Sequence, residues 1–289
     1  LPGLGCKLRN SGSFYPMAYL RQAARRVSMG LMLMLASQLA MAVQEVRVAA
    51  VFFPPYVYKT EQSDVPGLLS ELLTALNQTQ TQFRFVMVPT SVKRRFRDFA
   101  QQRIDLAIFE NPAWGWQQIP HVAYDMLLED SEVFIARVEP GRDQHYFDSL
   151  QGKRLALYHG YHYAFAGFNA EPDYLSKAFN ATLTHSHESN LLMVLHQRAE
   201  ITLVTRSYIG DFLQRNRQYV GQLLVSERAD QRYRHHVLIR PNAPISATQF
   251  NIMFERLRDT GQLQRIFGRY QIAVMPRAAG SLKPAGAAD

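Results

Sequence analysis

The sequence predicts an α/β fold with a mainly parallel sheet, and three observations carry that prediction. Val46-Arg47-Val48-Ala49-Ala50-Val51 is a nearly continuous run of small and β-branched residues, the pattern of a strand covered on both faces. The run breaks at Pro54-Pro55, where proline leaves no N–H for a ladder, and Leu68, Leu72, Leu73 and Leu76 then recur at helical spacing on one face. The unit repeats: Phe83–Val88 reads as a strand, about 91–102 as a helix and Ile104–Phe109 as a third strand, a spacing that calls for right-handed crossovers. Ligands of such sheets bind beyond the carboxyl ends of the strands. That singles out Phe52, Phe53 and Tyr56 after the first strand, and Glu110, Asn111, Trp114 and Trp116 after the third.

Further along, Glu132–Arg137 reads as a strand punctuated by Glu139-Pro140-Gly141, and a second α/β series succeeds it. Its strands are Arg154–Tyr158, Ala181–His185 and Ile201–Val204, with Gln222–Val225 closing the series. The first of these opens into Tyr158, His159, Tyr161 and His162, and the third into Thr205 and Arg206. His236–Arg240 returns to the first unit. Two helices end the fold, one with Phe250, Met253, Phe254 and Leu257 on one face and Gly261 as its stop, the other with Leu263, Ile266, Phe267 and Tyr270. Residues 274–289 read as a flexible tail.

The first 42 residues read as a leader apart from this fold. Met17–Arg26 is a basic segment, Val27–Leu39 an apolar one, and Ala40-Met41-Ala42 a small-x-small cleavage site, so residues 17–42 form a signal peptide cut after Ala42. Residues 1–16 read as an over-extended start. The product is expected in the periplasm. Removing the leader's five basic residues from the 32 leaves 27 against 24 acidic ones, a net charge of +3 rather than +8. Lys93-Arg94-Arg95-Phe96-Arg97 is then the one basic cluster, and with Val92, Phe96 and Phe99 as a buried stripe it reads as the solvated face of a helix, so no nucleic-acid partner is expected. Cys6, the single cysteine, falls in the leader, which excludes disulfides and thiolate metal or redox sites from the mature chain. The pairs His159/His162 and His185/His187 have chelating spacing but lie on different loops without a carboxylate cluster, so neither a metal nor a cofactor is expected. No nucleophile elbow or other catalytic arrangement stands out, and an enzyme is not expected.

The order of landmarks over about residues 46–272 resembles the family 3 periplasmic solute-binding proteins, typified by the polar amino-acid receptors of ABC transporters. The resemblance rests on the opening strand into Pro54-Pro55-Tyr56, the Pro66-Gly67 helix entry, Arg103–Ile108, Ser149–Leu157 and Asp259–Phe267. It implies a two-lobed, type II periplasmic-binding-protein fold with a ligand cleft between the lobes. Lobe 1 would comprise 43–137 and 229–273 and lobe 2 138–228, with crossover strands near 135–140 and 226–235. It also implies a monomeric receptor that closes on a small solute and hands it to an inner-membrane ABC permease or a sensor protein. An exported enzyme and a receptor-like signalling domain are the rivals on the same fold. The family holds an amino acid's carboxylate with an arginine about eight residues past the third strand and its ammonium with an acid after the strand matching Ile201–Val204. Gln117 and Thr205 stand at those places here. An amino-acid-like solute that is cationic or heterocyclic is expected instead, held by the aromatic loops and Glu110.

Overall fold

The computed structural model describes residues 43–58 and 67–277. The expected signal peptide and the end of the tail lie outside the described residues. Apart from Val43, the described residues belong to one compact unit, Gln44–Asp289.

Three strands, β1 (Gln44–Val51), β2 (Phe83–Thr90) and β3 (Leu106–Glu110), form one parallel set in the order β2-β1-β3. Three more, β5 (Leu155–Tyr158), β6 (Ala181–Thr184) and β7 (Ile201–Thr205), form a second parallel set in the order β7-β5-β6. Between them run two long strands, β4 (Val122–Arg137) and β8 (Leu223–Ile239), antiparallel to each other, β8 beside β3 and β4 beside β7. Each parallel set is therefore the heart of a lobe, and the β4–β8 ribbon joins the two.

The cores reflect this division. In the first lobe, α1 (Leu68–Thr79), α6 (Ala247–Asp259) and α7 (Gln262–Phe267) cover one sheet face, burying Leu68, Leu72, Leu76, Phe250, Phe254 and Phe267 with Val46 and Val48. The other face holds Phe99 of α2 (Arg94–Ala100), with Trp114, Trp116 and Leu238. In the second lobe α4 (His187–Leu195) and α5 (Arg206–Arg215) pack on one face, while Phe147, Leu155, Tyr163 and, from α3 (Pro172–Phe179), Leu175 fill the other.

The double proline ends β1 as expected, and the chain turns back through a Phe53–Val57 bridge. Gly67 opens α1 so close to this turn that a Cβ would sit 2.6 Å from the Tyr56 carbonyl oxygen, which explains the glycine.

Three features differ from the sequence reading. The first crossover begins at Val122, well before Glu132, because its acidic residues have partners: Arg234 pairs with Asp125 at 3.1 Å, and Tyr56 and Ser207 each donate to Asp130 at 2.6 Å. Val133–Ala136 already pack in the second lobe, so β4 passes between lobes at its polar stretch Glu129-Asp130-Ser131-Glu132, ahead of the crossover expected near 135–140 and of the lobe bound expected at 137. Gln222–Val225 and His236–Arg240 fall at the two ends of a single strand, β8 (Leu223–Ile239), which runs on through the polar residues between them. The chain also stays on the fold beyond 273: β9 (Ala273–Val274) pairs with β4, and Arg277 bonds to Glu255 and Asp259.

A cleft lined from both lobes

A cavity of about 90 Å³ lies between the lobes. The carboxyl ends of β1 and β3 supply Phe53, Tyr56, Glu110 and Trp114; the end of β5 supplies Tyr158, Tyr161 and His162; β8 adds Tyr233 and His235. Phe53 of the first lobe stacks on Tyr161 of the second at 5.5 Å and 9°, and meets the His187 ring edge-on at 4.6 Å. A hydrogen bond of 2.5 Å from Tyr58 to Asp211 ties the lobes again beside the cleft.

Of the residues the sequence singles out, the fold brings Phe53, Tyr56, Glu110, Trp114, Tyr158, Tyr161 and His162 together at this cavity. The other six lie elsewhere. Trp116 is fully buried behind the wall, edge-on to Phe96 and Phe99, its Nε1 donating to Glu110 Oε2 at 2.9 Å. Asn111 turns its Oδ1 back to the Ala113 N–H at 2.9 Å. Phe52 offers its carbonyl to the Tyr158 hydroxyl at 3.4 Å. His159 packs against His185 at 4.8 Å, so the fold joins two loops that the sequence keeps apart; among the described residues no cluster of three metal-ligating side chains forms. Thr205 is the N-cap of α5, accepting from Tyr208 N at 3.1 Å, and Arg206 reaches the Ser226 carbonyl at 3.3 Å. Because Thr205 works as a cap, Thr205→Ala is expected to lower stability by about 1 kcal/mol in a urea titration and to leave solute affinity unchanged.

The basic cluster corrects the sequence reading most. Arg95 is 5 % exposed rather than solvated, lines the cavity, and places its Nε 2.7 Å from Glu110 Oε1. Its Nη1 donates to the Val92 carbonyl at 2.5 Å, and its guanidinium lies 4.3 Å from the centre of the Phe96 ring. The sequence does carry a signal for this: Arg95 stands four residues before Phe99 and shares its face of the helix. Glu110, 8 % exposed, is therefore not a free acid awaiting a cation. Burial raises its carboxyl above the usual value, while Arg95 and Trp116 pull it back.

The remaining ionisable groups of the wall are neutral at pH 7. Burial pushes His162 down to about 4 and His235 down to about 3. Behind the wall, the Tyr56 hydroxyl donates to Asp130 at 2.6 Å and meets His235 Nε2 at 2.8 Å, while Tyr161 donates to Glu132 at 2.8 Å. Burial raises both carboxyls, and these hydroxyl bonds oppose it. Tyr233 and His235 alternate along β8 with period two, which places both on the cleft side.

Against solved structures the chain has clear likenesses. A histidine-bound ABC uptake transporter substrate-binding protein from Streptococcus pneumoniae matches with a TM-score of 0.61 and 16% identity over 78% of this chain and 92% of that one. The probable amino-acid ABC transporter extracellular-binding protein ytmK from Bacillus subtilis matches with 0.60 and 14% over 79% and 99%. The glutamate-bound GluR0 ligand-binding core from Nostoc punctiforme matches with 0.58 and 15% over 78% and 98%. No protein-family profile matches the chain. No curated protein matches it either. The likenesses establish the two-lobed, type II periplasmic-binding-protein fold expected from the sequence. Among the described residues no helix is long and apolar enough to cross a membrane.

Proposed function

We propose that the protein is a receptor that captures a small solute between its lobes by hinge closure and passes it to an inner-membrane ABC importer or a sensor protein. It would act as a monomer in the periplasm once the leader is removed. The observation that carries this reading is the construction of the cavity: both lobes and the ribbon joining them line one small space, so a solute there touches both sides of the hinge and stabilises the closed arrangement. The structural neighbours are binding proteins by name, which supports a binding module over an enzyme. Several hold glutamate, glutamine, arginine or histidine. Of the cationic and heterocyclic solutes expected from the sequence, the Arg95–Glu110 pair favours the heterocyclic one, because Glu110 is already paired with a cation.

Native mass spectrometry of freshly purified protein is expected to reveal a co-purified small molecule. Adding it back to stripped protein should raise Tm and shrink the radius of gyration in small-angle scattering, since it binds the closed native state. A scattering profile unchanged at saturation would sink the hinged receptor. Trp114 packs edge-on to Tyr233 at 4.9 Å with its Nε1 unpartnered among the described residues. Trp114→Ala should weaken solute binding by roughly 1–3 kcal/mol in calorimetry.

A further inference from the structure

Among the described residues that line the cleft there is one cation and one anion, and they are paired with each other. Arg95 and Glu110 both line the cavity, with Nε and Oε1 at 2.7 Å, and both are almost fully buried. Gln117, at the place where the resembling family carries its carboxylate-binding arginine, is exposed and bonds back to the Ala113 carbonyl at 2.9 Å. Thr205, at the place of the ammonium-binding acid, is buried as a helix cap.

A solute carboxylate that took Arg95 would strip Glu110 of its cation and leave a buried charge supported by the Trp116 N–H alone. A solute ammonium that took Glu110 would leave the Arg95 guanidinium without an anion, held by the Val92 carbonyl and the Phe96 face alone. Breaking a buried pair by removing one partner costs more than a replacement contact returns unless the newcomer matches it in geometry. An uncharged ring with ordinary donors and acceptors leaves the pair intact and still meets Phe53, Trp114 and Tyr158.

We propose that the Arg95–Glu110 pair is the charge filter of the cleft: it turns away singly charged solutes of either sign, admits uncharged ring-bearing ones, and converts to the sign left uncovered when one member is neutralised. The proposal rests on the cleft being the solute site. It makes Glu110 a built-in competitor for any carboxylate, a repulsive element of specificity rather than a ligand contact.

Calorimetric titration of the wild type, Glu110→Gln and Arg95→Gln with benzamide, benzoate and benzylammonium tests it. Gln at 110 keeps an acceptor for Trp116, and the two variants are independent should one fail to fold. The wild type is expected to prefer benzamide to both ions. Glu110→Gln should gain roughly tenfold or more for benzoate and Arg95→Gln a similar factor for benzylammonium. A wild type that binds benzoate or benzylammonium as tightly as benzamide overturns the filter, as does the absence of any gain in folded variants. Binding of L-phenylalanine to the wild type that is lost in both variants also overturns it, because the pair would then open to clamp a zwitterion. Failure of the receptor reading is separate: a co-purified charged solute that compacts the wild-type protein would refute the filter and leave the receptor standing.

Discussion

Asp105→Ala is expected to lower the unfolding free energy by about 3–5 kcal/mol, chiefly the cost of leaving one buried cation, Arg240, without its acid. Asp105 is fully buried at the entry to β3. Its Oδ2 accepts from Arg47 N at 3.0 Å and Nε at 2.9 Å; its Oδ1 accepts from Arg47 Nη2 at 2.9 Å and Arg240 Nη2 at 2.7 Å. One carboxylate thus ties β1, β3 and the end of β8. Burial works to raise its pKa, and the bonds from Arg47 and Arg240 outweigh that and hold it below the usual value. A depressed folded-state pKa means this stabilisation is present above the unfolded value near 3.8 and is lost as pH falls below it. Arg47 is partly exposed and regains water in the variant, whereas Arg240 is 9 % exposed and does not. Urea titration at pH 7 measures the loss; a change under about 1 kcal/mol would show that the network merely marks the strand ends. Because Asp105 and Glu110 sit at opposite ends of β3, solute affinity should survive wherever the variant is folded.

The frame of this fold is open to reading because it is written in local patterns. A buried run that stops at Pro54-Pro55 has few alternatives to a central strand, and β1 ends at Val51 accordingly. Leucines at helical spacing place α1 on the sheet, and all six of its buried residues are Leu or Ala. The ribbon is harder, because β4 and β8 pass between lobes and change their surroundings midway. Their apolar ends read as separate strands, the polar stretches Glu129–Glu132 and Ser226–Arg234 carry no strand pattern of their own, and only the resemblance implies a crossover strand near 226–235. Only tertiary partners turn these polar stretches into strand: Ser226 Oγ accepts from Phe134 N at 2.9 Å, and Arg234 pairs with Asp125.

In the cleft, positions at strand ends are legible in sequence and pairings are not. Seven of the thirteen candidate residues meet at one cavity because the carboxyl-end rule is topological. Trp114 and Trp116 look equivalent in sequence, yet Gly115 at φ +82° turns the chain between them and Trp116 goes into the core. Arg95 reads as surface because four basic residues cluster there, and a run of charges conceals the one that points inward. Its partner lies 15 residues away on another element. Such a contact exists only once α2 has packed on the sheet.

The second large effect concerns His187, whose replacement by Phe is expected to stabilise the protein, increasingly so in acid. The ring is 2 % exposed, neither nitrogen has a partner among the described residues, and burial pushes its pKa down to about 3. It lies edge-on to Phe53 at 4.6 Å and stacks on Tyr158 at 4.6 Å, so the first lobe covers an imidazole of the second. The unfolded chain takes up the proton near 6.5 and the folded one near 3, so between those values the unfolded state binds more protons and stability falls as pH falls. His235 and His162 contribute with the same sign, and Glu110, Asp130 and Glu132, whose pKa values burial raises, contribute with the opposite one. The wild-type limb is therefore a composite, and the difference between wild type and His187→Phe isolates the one histidine. At pH 7.5 the variant should gain about 1–2 kcal/mol from removing unpartnered polar atoms. Below pH 6 the gap should widen by up to about 1.4 kcal/mol per pH unit. His187→Leu controls for the larger ring. Because protonation requires Phe53 to withdraw, acid should also part the lobes of the wild type, read as a rise in radius of gyration before the unfolding transition. A stability difference that stays flat between pH 4 and 7 would mean that water already reaches His187 in the folded state.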